Sequence, residues 1–249
     1  AGYSYQDWDT YSPNNPTWNE AQDSIIAPEA AFPFYTRNVL MSYYGRAIYN
    51  YSGKYVVNVS VRRDGSSRFS PDTRWGIFPA ASAAWLISEE DFLKNSKSIN
   101  MLKLRAGWGI TGQQDGIGDY AYIGNYFQGA TTAQYAFGGQ YYQVLRPAGF
   151  DANLRWETTT SYNLGLDFGF KNDRFSGSVD VYQKDTRDLL ATVPVPAGTN
   201  FTNEILTNVG AMQNRGIEVS VNTGLIEKKD MRLDWTVNGT YNVNTVVKL

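Results

Sequence analysis

The 249 residues predict an all-β fold: an antiparallel transmembrane β-barrel with short turns at one end and long loops at the other. Three observations carry this expectation. Apolar and polar residues alternate with period two through most of the chain. Several alternating runs last about ten residues or more, whereas globular strands centre on about 5–6 and a tilted membrane strand needs about 9–11. Connectors alternate between tight and long, which is the asymmetry of outer-membrane barrels, with short periplasmic turns and longer extracellular loops.

Residues 1–36 show no clean alternation and are read as an extracellular loop or irregular segment. Residues 37–249 are read as the barrel portion, with about eight strands. The first strand, Val39–Tyr51, is imperfect and ends in a tight Ser52-Gly53 turn. Tyr55, Val57, Val59 and Val61 then oppose Asn58, Ser60 and Arg62. A longer connector leads into Gly76–Ile87, again less regular. Ser88-Glu89-Glu90-Asp91 has capping-box spacing and predicts a short helix.

Leu102, Leu104, Ala106, Trp108 and Ile110 oppose Lys103, Arg105 and Gly107, ahead of the longest connector. Tyr162, Leu164, Leu166, Phe168 and Phe170 oppose Asn163, Gly165 and Asp167. After a tight turn, Phe175, Val179 and Val181 oppose Ser176, Ser178 and Asp180. Beyond a long loop, Ile217, Val219 and Val221 oppose Glu218, Ser220 and Asn222. Met231 to Val243 gives the cleanest alternation, with Leu233, Trp235, Val237 and Tyr241 against Arg232, Asp234 and Asn238.

In a barrel the polar face lines a wet lumen and the apolar face meets lipid. Arg105, Asn163, Asp180, Arg232 and Asp234 are therefore expected to face the lumen. Tyr51, Phe168, Phe170 and Phe175 lie near strand ends and suit an interfacial aromatic girdle. A soluble β-sandwich also buries one face, but strand length and loop asymmetry favour the barrel. No run reaches the roughly 18 apolar residues of a membrane helix.

Composition narrows the chemistry. The chain has no cysteine and no histidine, which removes disulfides, thiolate zinc sites, cysteine nucleophiles and the Ser–His–Asp triad. The net charge of −2 gives no basic field for nucleic acid. Gly107 to Gly112 matches G-x-G-x-x-G but ends an alternating strand, where the dinucleotide motif needs a helix to open. Asp115-Gly116-Ile117-Gly118-Asp119 lacks the acidic density of a calcium loop and reads as a turn. Glu89, Glu90 and Asp91 could be catalytic carboxylates but more simply complement a helix N-terminus. Arg62, Arg63 and Arg68 form a small basic patch, read as a salt-bridge network with Asp64 and Asp72. Three matches to the N-glycosylation pattern, at Asn58, Asn200 and Asn238, are taken as coincidence. No catalytic residue, cofactor or metal site is expected.

The long loops offer better binding candidates. Tyr120, Tyr122, Tyr126, Tyr135, Tyr141 and Tyr142 crowd the longest one, and tyrosine suits sugars, peptides and protein partners alike. Such rings also pack loops on themselves.

The run Tyr51 to Phe69, including Val59-Ser-Val-Arg-Arg-Asp-Gly-Ser-Ser-Arg-Phe69, resembles the barrel signature of the SusC/RagA family of TonB-linked outer-membrane transporters. The similarity continues through Arg74-Trp-Gly-Ile-Phe-Pro79 to Phe92, Leu102 to Gln113, Gly118 to Tyr120, Leu154-Arg-Trp-Glu157 to Asp167, and Asp185 to Glu218. In this order and spacing the blocks are specific. Residues 1–36 and about 121–150 match least, as loops that vary with cargo would.

The resemblance implies a portion of a barrel of roughly 22 strands with a plugged lumen. It implies that the plug, a TonB-contacting segment and other N-terminal parts lie outside this chain, which is expected to be an internal barrel fragment. It further implies a bacterial outer-membrane importer of oligosaccharides or peptides. A SusD-type surface lipoprotein would cap it, and a TonB–ExbB–ExbD complex would supply energy through the plug. The competing readings are a small structural or adhesive outer-membrane barrel and a soluble carbohydrate-binding β-sandwich.

Overall fold

The computed structural model describes residues 1–12, 17–18, 25–27, 34–130 and 132–248. Among them, nine long strands form one sheet in chain order. They are β1 (Gly2–Ser12), β2 (Phe34–Tyr51), β3 (Tyr55–Ser66), β4 (Trp75–Leu86) and β5 (Ile99–Gln113). β6 (Glu157–Phe170), β7 (Phe175–Arg187), β8 (Ala211–Lys228) and β9 (Met231–Lys248) complete it. Every adjacent pair is antiparallel. The sheet is open, with β1 and β9 as its edges.

Register carries the alternation from strand to strand. Tyr49 pairs with Val57, Val57 with Ala83, Ala83 with Ala106 and Ala106 with Leu164. The row continues through Val181, Ile217 and Tyr241. A row on the other face runs Asn58, Ser82, Gly107, Asn163, Tyr182 and Gly216. Along these central rows one face of the sheet is therefore apolar and the other polar. Tyr49, Leu164 and Tyr241 are 64%, 48% and 69% exposed, so no second layer covers the apolar face among the described residues. A β-sandwich would place a sheet there.

Connectors sort by end. Residues 52–54, 87–98, 171–174 and 229–230 lie at one end; 67–74, 114–130, 132–156 and 188–210 lie at the other, together with the paired ends of β1 and β2 at residues 12 and 34. The tight turns use left-handed backbone: Ser52 and Gly53 have φ of 54° and 70°, and Lys171, Asn172 and Asp173 have 52°, 58° and 59°. Asn and Asp tolerate this region better than other side chains. The Asn172 N–H donates to Asn100 Oδ1 at 2.6 Å and the Lys171 N–H to the Ser98 carbonyl at 3.0 Å, which clamps two connectors together. An aromatic ladder runs along this end on the apolar face. Tyr49, Tyr51, Tyr55 and Trp85 follow one another with centroids 6.3–6.5 Å apart, and Phe168, Phe170 and Phe175 cluster at 5.7–6.3 Å.

Two expectations need correction. Residues 1–36 are not wholly irregular: Gly2–Ser12 pairs along its length with Phe34–Tyr44, which gives nine strands where about eight are expected and starts β2 before residue 37. Hydropathy hides this strand because its alternation inverts. Tyr3 and Tyr5 share a face with Asp7 and Asp9, while Trp8 stands on the polar face. Asp7 accepts from Arg37 at 2.5 Å and Asp9 from the Tyr35 hydroxyl at 2.8 Å, so cross-strand partners replace hydrophobic contact there. The capping box does not form either. Ile87–Glu89 is a single 3-10 turn without a side-chain cap, and Asp91, which would return the bond, is 98% exposed. Gly107 to Gly112 lies within β5, as the strand reading expects.

The buried apolar core is small and sits at the long-loop end: Phe69, Phe78, Ile117, Leu154 and Trp156, with Leu40, Ile110, Ala121, Leu190 and Leu206 packed against it. The Phe78 ring lies over the backbone of Gly112 and Gly76, where any Cβ would fall inside the ring. Gly112→Ala should therefore displace a buried ring and destabilise the fold by about 1–3 kcal/mol. Gly107→Ala, whose Cβ meets nothing within 4 Å, should cost far less. Urea unfolding in detergent of the full-length protein carrying each change checks the difference.

Candidate functional site

The polar face carries a charge cluster at its centre. Arg105 on β5 donates from Nε and Nη2 to the two oxygens of Asp167 on β6, at 2.9 and 2.7 Å. Its Nη2 also reaches Asp180 on β7 at 3.1 Å, and Lys103 Nζ stands 3.6 Å from Asp167. One guanidinium thus spans three strands, in the bidentate geometry that fixes carboxylates best. Gly165 lies directly between Arg105 and Asp180 in register, and a Cβ there would strike both side chains. That explains a glycine in the middle of a strand.

Of the polar-face residues expected from sequence, the structure brings Arg105 and Asp180 together and adds Asp167. Asn163 sits in the neighbouring row between Gly107 and Tyr182. Arg232 and Asp234 pair with each other at 2.7 Å near the short-turn end of β9.

The long loops are knotted at their base. Phe69 comes from the connector 67–74, and Ile117, Leu154 and Trp156 from 114–156; Leu190 and Leu206 belong to a short hairpin within 188–210. Trp156 Nε1 donates to the Arg74 carbonyl at 3.0 Å, and the Thr73 hydroxyl to the Leu154 carbonyl at 2.6 Å. Asn208 accepts from the Arg155 N–H and donates to the carbonyls of Arg155 and Asp188, each at 2.8 Å. The Arg155 guanidinium donates to Asp188 at 2.7 Å, which raises its pKa above the ordinary arginine value. Buried backbone groups of the loops thus find partners within the loops themselves. The sequence signal for this knot is a set of apolar residues outside any alternating run: Phe69, Leu154 and Trp156.

The six loop tyrosines do not converge on one point. Tyr135 and Tyr142 stack across a hairpin formed by Gln134–Phe137 and Gln140–Gln143, with ring centroids 5.6 Å apart. Tyr141, on the opposite face of that hairpin, is 75% exposed. Tyr126 lies in a separate pairing with Leu145–Pro147. Tyr120 has a left-handed φ of 65° and accepts at its carbonyl from the Ile123 N–H in a turn that also contains Tyr122.

Two cavities open on the polar face beside the knot. One, of about 480 Å³, is lined by Leu40, Arg62, Asp64, Phe78, Gln113 and Trp156 among others. The second, of about 360 Å³, is lined by Trp8, Thr10, Asn38, Arg68, Gln114, Asp115 and Asp119. They share Gln114 and Asp115 as a common wall. Arg62 is paired with Asp64 at 2.6 Å and Arg68 with Asp119 at 3.1 Å, while Arg63 stacks over Trp75. The expected network with Asp72 is therefore replaced by Asp119. No group of three possible metal ligands occurs among the described residues.

At the short-turn end, Glu90 is a hub. It accepts from the Tyr55 hydroxyl at 2.5 Å, Trp85 Nε1 at 3.0 Å and Lys54 Nζ at 3.1 Å. These donors hold its carboxyl down at about 2, from an ordinary 4.5, with the Tyr55 bond the largest cause.

The family model described as "TonB dependent receptor-like, beta-barrel" matches residues 1–248. The chain is 45% identical over 244 residues to the TonB-dependent receptor SusC of Bacteroides thetaiotaomicron, covering 98% of this chain and 24% of that one. It is 41% identical over 222 residues to the TonB-dependent receptor P39 of Formosa agariphila, covering 86% of this chain and 20% of that one. A solved structure of the RagAB peptide importer superposes with a TM-score of 0.82 at 24% identity, over 99% of this chain and 27% of the other; this likeness is one of fold. The chain thus spans about a quarter of the length of the relatives it matches.

The Glu90 hub gives a pH dependence with a definite sign. A carboxyl whose folded pKa is depressed stabilises the fold above its unfolded pKa and loses that contribution as pH falls. The contribution should be complete above 4.5 and vanish toward about 2. Denaturation midpoints of the full-length protein and its Glu90→Gln variant, compared between pH 6 and pH 2, should differ at the upper end and converge at the lower.

Proposed function

Because the chain belongs to the TonB-dependent receptor β-barrel family, we propose that it forms about a quarter of the wall of an outer-membrane importer that takes up nutrient oligomers, oligosaccharide or peptide, with TonB-supplied energy. The observation that carries this reading is the uncovered apolar face. A single sheet with Val57, Val59, Val61, Leu164, Val181, Ile217, Val219 and Val237 each at least 37% exposed needs an apolar surrounding. Strands of 11–18 residues are long enough to cross a bilayer when tilted. Lipid is the cover that suits the apolar rows crossing the middle of the sheet, and the polar face then lines the lumen.

In this reading Arg105, Asp167, Asp180, Asn163, Arg232 and Asp234 face the wet interior and the plug that the rest of the receptor supplies. The edges β1 and β9 pair with further strands of the same receptor. The short-turn end, with its Tyr51, Tyr55, Trp85 and Phe175 ladder, is periplasmic, and the aromatic rings sit at the interface. The knotted loops form the extracellular mouth. The exposed hairpin bearing Tyr135, Tyr141 and Tyr142, together with Tyr120, Tyr122 and Tyr126, meets cargo or a SusD-type lipoprotein lid. The wall breaks no bond in the cargo, and work is done elsewhere, through the plug and a TonB–ExbB–ExbD complex.

Deleting the whole receptor from its host should abolish uptake of either a labelled oligosaccharide pool or a labelled peptide pool, and a protonophore should abolish the same uptake. Unchanged uptake of both pools would overturn the proposal. The facing assignment has its own test. Val237→Arg near the bilayer midplane should cost about 2–4 kcal/mol, and Asn238→Arg, one residue along but facing the lumen, much less. Equal penalties in a detergent-to-bilayer folding assay would defeat it.

A further inference from the structure

We infer that a groove on the apolar face, across β6, β7 and β8, holds one phosphate-bearing lipid of the bilayer leaflet at the long-loop end. Its acyl chain lies against Tyr162, Leu164 and Val181, and its phosphate meets Arg215 and Arg187. This rests on the lipid-facing assignment of the apolar rows and adds a specific site to it.

Register sets the height of the two arginines. Arg215 stands opposite Gln183, Gln213 opposite Asp185 and Ala211 opposite Arg187, all on the face that carries Val181 and Ile217. The apolar rows of that face therefore give way to polar side chains toward the long-loop end. From Phe175, at the short-turn end, β7 rises about 20 Å to Gln183 and about 30 Å to Arg187 at the usual barrel tilt. An apolar barrel band is about 25 Å tall. The arginines thus bracket its upper edge, at the depth of lipid headgroups. Tyr162 and Trp108 stand in the Gln183 row, as aromatic residues of an interface do. β6, β7 and β8 are inner strands of the sheet, so the pairing of its edges with further strands leaves this patch open.

Neither guanidinium has a counter-charge in the protein. Asp185 lies between them, but its oxygens accept from Gln183 Nε2 at 2.9 Å and Gln213 Nε2 at 2.8 Å. Arg187 and Arg215 are exposed and make no hydrogen bond or ion pair among the described residues. Two other arginines of the same face do have partners: Arg37 pairs with Asp7, and Arg63 stacks over Trp75. The flanking Thr158, Thr160, Val243 and Thr245 are uncharged. Two arginines against one carboxylate leave the patch positive. A free guanidinium fork matches phosphate oxygens, and basic clusters at headgroup depth recognise anionic lipids.

Below the arginines the face is hollowed. An open groove of about 480 Å³ is lined by Tyr162, Leu164, Val181, Gln183 and Arg215, with its two polar side chains of this face in the upper row. Lipid tails are as apolar as leucine, so the groove gains from a chain only through shape and van der Waals contact. Preference for one lipid then comes from the arginines. An apolar channel ending on unpaired cations is the complement of an anionic amphiphile.

The test uses the full-length receptor in non-ionic detergent, titrated with phosphatidic acid, with diacylglycerol of the same chains and with inorganic phosphate, and read by native mass spectrometry. The wild type should retain phosphatidic acid, and Arg187→Gln combined with Arg215→Gln should weaken that binding about tenfold or more. Val181→Trp, which fills the groove and leaves both arginines in place, should weaken it as well. Arg37→Gln should not. The heat-modifiable mobility of the folded barrel should be unchanged in every variant. Phosphatidic acid binding indifferent to the two arginines would overturn the site. Inorganic phosphate bound as tightly as phosphatidic acid would reduce the site to one for a free anion, and diacylglycerol bound as tightly would remove the role of the arginines; either result defeats the proposal. In all three cases, unequal penalties for Val237→Arg and Asn238→Arg would leave the lipid-facing assignment standing, and equal penalties would take away that premise too.

Discussion

Alternation of period two, carried in register across nine antiparallel strands, is the constraint that fixes where every other feature can lie. A slip of one residue in any pair would move that strand's apolar set to the opposite face. The bulge at Leu225, between Gly224 and Ile226 of β8, takes up one extra residue so that Val237 still meets Val221. Because register holds from Tyr49 through Val57, Ala83, Ala106, Leu164, Val181 and Ile217 to Tyr241, the apolar side chains form a continuous surface. The polar partners of those residues are necessarily collected on the other face.

That collection gives the charge cluster its form. Arg105, Gly165 and Asp180 are cross-strand neighbours by register, and Asp167 is the next residue along on the same face. A guanidinium lying across a glycine joins three strands without crowding. Desolvation of such a cluster is only partial, since Arg105, Asp167 and Asp180 keep 31%, 18% and 19% of their side-chain surface. Its contribution to stability is accordingly modest, and its value to the fold is directional: it ties β5, β6 and β7 side by side on the polar face.

Much of this was legible in the sequence. The cleanly alternating strands appear where the alternation places them, and Arg105, Asn163, Asp180, Arg232 and Asp234 share one face of the sheet. Two kinds of feature were not legible. β1 escapes local reading because Trp8, Asp7 and Asp9 occupy the faces opposite to those hydropathy assigns, with Arg37 and Tyr35 from β2 pairing the two carboxylates. The capping box at Ser88 does not form: Lys54, Tyr55 and Trp85 hold the intervening Glu90, and Asp91 stays in solvent. Both are tertiary contacts between segments remote in sequence, which local spacing cannot encode. The loop knot was half legible: Phe69, Leu154 and Trp156 stand among the residues that carry the family resemblance, but periodicity has nothing to say about loops.

The knot also divides the long-loop end into two mechanical parts. At its base, Trp156, Thr73, Asn208 and Arg155 bind three connectors to one another through side chain–backbone hydrogen bonds around a closed apolar centre. Beyond it, the hairpin of Tyr135, Phe137, Tyr141 and Tyr142 is mostly exposed and meets no such centre. Segments with few buried contacts open locally at low free energy, while those tied into a core open only with it. The base is thus suited to holding a wall in a constant shape, and the tips to adapting.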